Sequence, residues 1–307
     1  MPRTRSRALA APLGLALVLG GLPHAASAAS VAGRLFLGSQ LLDIDEQPAL
    51  GPAPGPLSDS VTRGPGPAAL GSGSASASYT VEFGRIRLNA ESAVTAPVPV
   101  DYSSVNIDSG ATANAGWTDQ ITFAAPGRAG TTGYYRPQLG VTGVFDGQAG
   151  GVDDPFVSMA TSAFVVSVGV STPLPGRTQQ RFGGCQAIAS SGNCDVYGDP
   201  LGSWLLDPVP FVFGTLFTLD VTASASAGGR SVEGGAFRAS ADLGDTIEWL
   251  GIAEVTDANG APITGYTLSA VSGFDYAAGV VPEPGTALLL AAGLAGLGVT
   301  GRARRAR

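Results

Sequence analysis

From Phe217 to Ala227 the chain reads Phe-Thr-Leu-Asp-Val-Thr-Ala-Ser-Ala-Ser-Ala, with every odd position apolar and every even one polar. That period of two puts one face of an extended strand against a core and the other against water, a pattern no helix satisfies. Between the two ends of the chain, no run of 12 residues carries apolar groups at i, i+3, i+4 and i+7 free of Gly and Pro. Strand patterns recur instead. Tyr79 to Leu88 alternates, but its apolar set passes from Tyr79, Val81 and Phe83 to Ile86 and Leu88, predicting a β-bulge or bend at Gly84-Arg85. Ala163 to Val170 is a continuous apolar run, as in a strand buried on both faces. Asp245 to Thr256 and Ile263 to Leu268 flank Asp257-Ala-Asn-Gly-Ala-Pro262, where Asn259-Gly260 predicts a positive-φ turn and a hairpin. The fold class is therefore all-β, an antiparallel β-sandwich, jelly-roll-like in kind, large enough at about 250 residues for one substantial core.

Residues 46–78 break this pattern with Pro48, Pro52, Pro54, Pro56, Pro65 and Pro67 among glycines, followed by Gly71-Ser-Gly-Ser. The composition predicts a long Pro/Gly/Ser-rich loop without a packed face. Ser30 to Ile44, just before it, is expected to be a first strand pairing with the main sheet.

The ends of the chain are of another kind. Arg3, Arg5 and Arg7 precede an apolar stretch from Ala8 to Leu22 and the small-x-small site Ala26-Ser27-Ala28, which together read as a secretory signal peptide cleaved after Ala28. At the other end stand Val281, Pro282, Glu283 and Pro284, then 17 uncharged residues from Gly285 to Gly301, then Arg302, Arg304, Arg305 and Arg307. Two prolines around one residue cannot continue a helix or a strand ladder, so the tripeptide is an extended handle. The apolar run is at the short end of what a tilted helix needs to cross about 30 Å of hydrocarbon, and the arginines act as a stop-transfer signal. Arginines on the outer flank of both segments put both ends in the cytoplasm and the body across the membrane. The resulting division is 1–28 signal peptide, 29–279 exported body and 280–307 anchor segment.

This tail resembles the PEP-CTERM anchor of exosortase substrates of Gram-negative bacteria, on Val281, Pro282, Glu283, Pro284, the apolar run and the terminal arginines. The resemblance implies a sorting substrate held in the inner membrane by a C-terminal helix. It also implies cleavage near the tripeptide by an exosortase-type membrane transpeptidase, with release to the cell surface or extracellular matrix. Without the resemblance, the same segment reads as a plain single-span anchor. Gly235 to Tyr276, which ends in Ser-Gly-Phe-Asp-Tyr, is similar to a segment found ahead of such tails, and that similarity carries no active residues.

Charge and composition narrow the function of the body. Between Ala29 and Val280 stand 10 Arg, no Lys and no His against 23 Asp and Glu, a net charge of −13, which repels phosphate backbones and disfavours nucleic acid. Cys185 and Cys194 are the only cysteines, in a Gly/Ser-rich stretch, and in an oxidising compartment they read as a local disulfide; free thiols or a metal pair are the alternatives. Without His or Lys, catalysis would need a carboxylate pair, with Asp153-Asp154, Glu233, Glu248 and Glu254 as undistinguished candidates. Asp146, Asp153, Asp154, Asp195 and Asp199 lie in Gly-rich turns that could hold a structural calcium, although turn preference explains them as well. No metal or cofactor is otherwise implied. Trp117, Tyr134 and Tyr135 are candidate glycan contacts, with Tyr134-Tyr135, bracketed by Gly133 and Arg136-Pro137, the best placed for an exposed site. The expectation is a non-enzymatic envelope or extracellular-matrix protein. An exopolysaccharide-binding module is the alternative, and a carboxylate hydrolase ranks third.

Overall fold

In the computed structural model, described here for residues 29–39, 45–53, 57–63, 72–95, 106–150, 158–171, 177–188, 194–232 and 235–278, the chain is all strand and turn. Among the described residues fifteen strands run in order: β1 (Ala29–Ser39), β2 (Asp45–Ala53), β3 (Leu57–Arg63), β4 (Ser72–Glu82), β5 (Arg85–Thr95), β6 (Asn106–Ala124), β7 (Thr132–Gly150) and β8 (Met159–Ser171). They continue as β9 (Arg177–Ile188), β10 (Cys194–Gly198), β11 (Gly202–Leu205), β12 (Val209–Val212), β13 (Phe217–Val232), β14 (Ala236–Asp257) and β15 (Thr267–Ala270). Every pairing between them is antiparallel. One sheet has the order β10-β9-β8-β13-β6-β1-β2, with β15 also on β6; the other is β11-β7-β14-β5-β4-β3, with β12 also on β7. The inward faces of both sheets contribute to one core.

The alternating stretch that opens at Phe217 is the centre of the first sheet. β13 pairs with β6 along its whole length and with β8 on its other edge, so Phe217, Leu219, Val221, Ala223, Ala225 and Ala227 all point inward and are buried. Along that line the side chains shrink. At one end Phe123 packs against Phe211 at 4.3 Å and Tyr135 at 5.2 Å, with Trp117 and Trp249 beside them in the core. At the other, Ala111 and Ala113 face the interior opposite Ala227 and Ala225. Where a ring does enter this second half it lies over a glycine: a Cβ on Gly183 would come within 2.7 Å of Phe164, and one on Gly229 within 2.9 Å of Phe237. The Ser92 hydroxyl donates to Ser109 Oγ at 2.8 Å, joining β5 of one sheet to β6 of the other where small residues bring the sheets together.

Several sequence expectations change form. The parity slip after Phe83 is a two-residue hairpin turn and not a bulge: Glu82 pairs with Arg85 and Val81 with Ile86, so inward positions change from odd to even across the turn. Gly84 supplies the positive φ of +80° that this turn requires. The Pro/Gly/Ser-rich segment is largely strand. β2 and β3 sit at the outer edges of the two sheets, where a proline removes no ladder bond that a neighbour needs. In β4, Ala75 and Ala77 are buried, so small residues do supply a packed face where the sheets lie close. The first strand pairs with the main sheet as expected, β1 on β6. β8 is buried on one face only, with Ala163 and Val165 half-covered on the other. The Asn259-Gly260 turn forms, with Gly260 at φ +83°, and closes a short hairpin in which Thr256 bridges Pro262 and the Ile263 N–H donates to the Val255 carbonyl at 2.8 Å; beyond it β15 crosses to pair with β6.

A core filled to this depth by small residues leaves no room for enlargement. Ala225→Leu is expected to lower stability by about 1–3 kcal/mol through overpacking. Thr218→Ser on the outer face should stay within about 0.5 kcal/mol. Urea unfolding of both variants against wild type measures the difference.

Candidate functional site at the carboxy-terminal exit

The last described residues cover one end of the core, directly ahead of the sorting tail. β14 ends at Asp257, whose Oδ1 accepts the Asn259 and Ala261 N–H groups at 2.9 and 3.0 Å while Oδ2 pairs with Arg128 at 3.3 Å. Those backbone donors, with Arg128 adding to them, hold its carboxyl below the usual carboxylate range. The turn redirects the chain to β15, which lies along residues 121–124 of β6, and Val271 N–H then donates to the Gln120 carbonyl at 2.9 Å.

Beneath this segment lies Asp119, with no exposed surface. The Trp117, Asp119, Ile121, Phe123 register faces inward, so a carboxyl occupies a core position, and such a group needs hydrogen-bond donors. Gln120 N–H donates to Oδ1 at 2.8 Å and Ser272 N–H at 3.2 Å; the Ser272 hydroxyl donates to Oδ2. Ser272 thus uses backbone and side chain together to tie the C-terminal segment to β6. Its Oγ also accepts the Phe274 N–H at 3.1 Å.

Two aromatic residues complete the closure. Trp249 Nε1–H donates to the Tyr276 carbonyl at 2.8 Å, and the two rings meet edge to face at 5.3 Å. Burial raises the Tyr276 phenol far above its ordinary value; the Asp119 charge adds to the rise, and neighbouring Trp117 and Ser272 offset part of it. Phe274 packs on Tyr276 at 4.7 Å and covers the Gly84 turn so closely that a Cβ there would come within 2.2 Å of its ring. Trp249 N–H also donates to the Gly84 carbonyl at 2.8 Å. Ser-Gly-Phe-Asp-Tyr is therefore a plug joined to both sheets: through Asp119 to the first, and through Gly84 and Trp249 to the second. Asp275 Oδ1 then caps the Ala277 and Ala278 N–H groups at 3.0 and 3.2 Å, where the described chain ends.

The other candidate residues are scattered. Trp117 and Tyr135 lie in the core, out of reach of a ligand at the surface, whereas Tyr134 is half-buried on the outer face of the β7 sheet. Cys185 and Cys194 form a disulfide with Cα atoms 5.4 Å apart, diagonal across β9 and β10, and a Cβ on Gly147 of β7 would lie 3.1 Å from Cys194 Sγ. Asp199 pairs with Arg181 at 3.5 Å and accepts the Phe182 N–H, Asp195 is exposed, and Asp146 stands opposite Ser240 in the β7–β14 pairing. Among the described residues no three His, Cys, Asp or Glu converge on one point. Glu248 pairs with Arg85 at 3.1 Å, and Glu254 is exposed. Asp153, Asp154, Glu233, Ala26, Ala28, the Val281-Pro-Glu-Pro284 motif and the terminal arginines lie outside the described residues.

Asp119 and Ser272 were not singled out from sequence, and Gly84 only as a bend in the chain. Asp119 was detectable, because it is the one acid in an otherwise apolar inward register.

Against known proteins, residues 280–305 match the family model of the PEP-CTERM protein-sorting motif. No curated protein and no solved structure matches the chain. The chain carries a PEP-CTERM sorting motif, which marks it as a substrate of exosortase-type sorting, exported and handled at a membrane.

Asp119→Ala leaves the Ser272 hydroxyl and N–H without their buried acceptor, so a loss of about 1–3 kcal/mol is expected in chemical denaturation. Gly84→Ala should cost at least about 1 kcal/mol, since it strains a left-handed turn and displaces Phe274. A Gly84→Ala protein as stable as wild type would show that the plug does not bear on the turn.

Proposed function

We propose that the protein is an exported envelope or extracellular-matrix protein with a non-enzymatic β-sandwich body. In this reading it is tethered to the inner membrane by residues 285–301 and cleaved near Pro282-Glu283-Pro284 by an exosortase-type transpeptidase. The match of residues 280–305 to the sorting motif carries the reading. The terminal arginines keep the tail's end in the cytoplasm, so the body lies on the far side of the membrane and leaves it on cleavage.

The plug gives this reading a physical support. Pro282 follows Tyr276 by only six positions, a reach of at most about 21 Å when fully extended. The tail can be cut without disturbing the body, because the plug's bonds among the described residues lie before the motif. The local disulfide suits an oxidising compartment and fixes the short β10 strand against β9.

Fractionation and intact mass of the protein from its native host, as wild type and as Pro282→Ala/Glu283→Ala/Pro284→Ala, test the proposal. The wild type should lack the tail and leave the membrane fraction, while the variant should remain full-length and membrane-bound. Wild type and variant that are both unprocessed would reduce the segment to a plain anchor.

A further inference from the structure

Phe182 and Tyr197 are aromatic residues on the outward face of the first sheet, 55% and 39% exposed, at the β9–β10 edge. By register Phe182 stands beside Val165 of β8, and Tyr197 stands opposite Gly184. Gly184 makes the second placement possible: a Cβ there would lie 3.0 Å from the Tyr197 hydroxyl, so the phenol extends along bare backbone. Diagonal cross-strand neighbours of this kind are about 7–8 Å apart, within reach of neighbouring rings of one extended chain.

Both aromatics are held from below. Asp199 accepts the Phe182 N–H at 3.3 Å, donates its own N–H to the Phe182 carbonyl at 2.7 Å and pairs with Arg181. The Cys185–Cys194 disulfide pins β9 to β10 a few residues from both. Exposed side chains on a cross-linked, ion-paired support lose little freedom when something stacks on them.

The surface around them has an unusual charge. The outward positions of β6, β13, β8 and β9, from the Thr222–Ser167–Gln180 row to the Gly228–Thr161–Gln186 row, carry no charged side chain. They present small hydroxyl and amide groups such as Asn114, Thr222 and Gln180. This lies in a body of net charge −13. A polyanion would be repelled by the body, and a polycation would find no carboxylate in these rows of the four strands, with Asp195 of β10 standing at their edge opposite Gln186. Ring faces next to neutral hydroxyls and amides suit a ligand that offers apolar C–H faces and hydroxyls together.

We propose that the outward face of the first sheet, anchored by Phe182 and Tyr197, binds a neutral polysaccharide chain. The site is distinct from Tyr134, which lies on the other sheet, and it does not depend on the fate of the tail.

The test is affinity electrophoresis of the mature protein, or of the full chain in detergent if the tail is retained, through gels containing hydroxyethylcellulose, galactomannan or the polyanion alginate. Retardation by at least one neutral polymer is expected and none by alginate. Phe182→Ala and Tyr197→Ala should each weaken binding about tenfold or more, as removal of a stacking anchor does, whereas Tyr134→Ala and Phe182→Trp should retain it. Both truncated side chains are exposed, so unchanged thermal unfolding is expected and separates lost binding from lost fold. No retardation by either neutral polymer, retardation by alginate, or a loss caused by Tyr134→Ala alone would overturn the proposal. So would wild-type self-association in sedimentation that Phe182→Ala abolishes, which would assign the face to a second copy of the chain.

Discussion

A carboxyl group cannot be placed in an apolar core without donors, and Asp119 draws its donors from two places. Gln120 belongs to its own strand, but Ser272 comes from a segment more than 150 residues later in the chain. That requirement fixes where the C-terminal segment lies. With Ser272 placed, Phe274 reaches the Gly84 turn and Tyr276 reaches Trp249, so three contacts on two sheets follow from one buried group. Among the described residues Asp119 is the one buried acid. The closure also explains why the last alternating strand gives way to β15 on the opposite sheet: the chain must cross the end of the sandwich to reach Asp119.

The rest of the body rests on graded packing. Bulky aromatics fill the end that the plug covers, and alanine, serine and glycine fill the other, where Ser92 and Ser109 bond across the gap. Hydrophobic area per residue is lower in that second half, and close approach of the sheets compensates with dispersion contacts and buried hydrogen bonds. Rings such as Phe164 and Phe237 fit only where a glycine faces them.

Much of this was legible in the sequence, for identifiable reasons. The alternation from Phe217 identified the central strand because a one-sided burial pattern has a single strand solution. Trp249 alternates with Ile247 along β14, and both are buried. The tail motif was readable because proline, charge and hydropathy in fixed order need no tertiary context. The Gly84 slip was misread because a bulge and a two-residue turn change parity alike, and only pairing distinguishes them. Residues 46–78 were misread because proline was weighed without knowing that β2 and β3 are edge strands, and alanine without knowing that the sheets approach closely there. Trp117 and Tyr135 were candidates for stacking by residue type alone, whereas exposure is a property of the fold, and Phe182 over the β9–β10 edge could be found only from register.

The central claim is that the body ends in a plug bonded into its core, so that the sorting tail begins where a closed structure stops. Native-state hydrogen exchange on the full-length precursor and on the tail-cleaved form tests it most directly. The account predicts that the amides of Val271 and Trp249, bonded to Gln120 and Gly84, exchange as slowly as those in the centre of β6 in both forms. Fast exchange at Val271 in either form, or protection lost when the tail is cut, would contradict it.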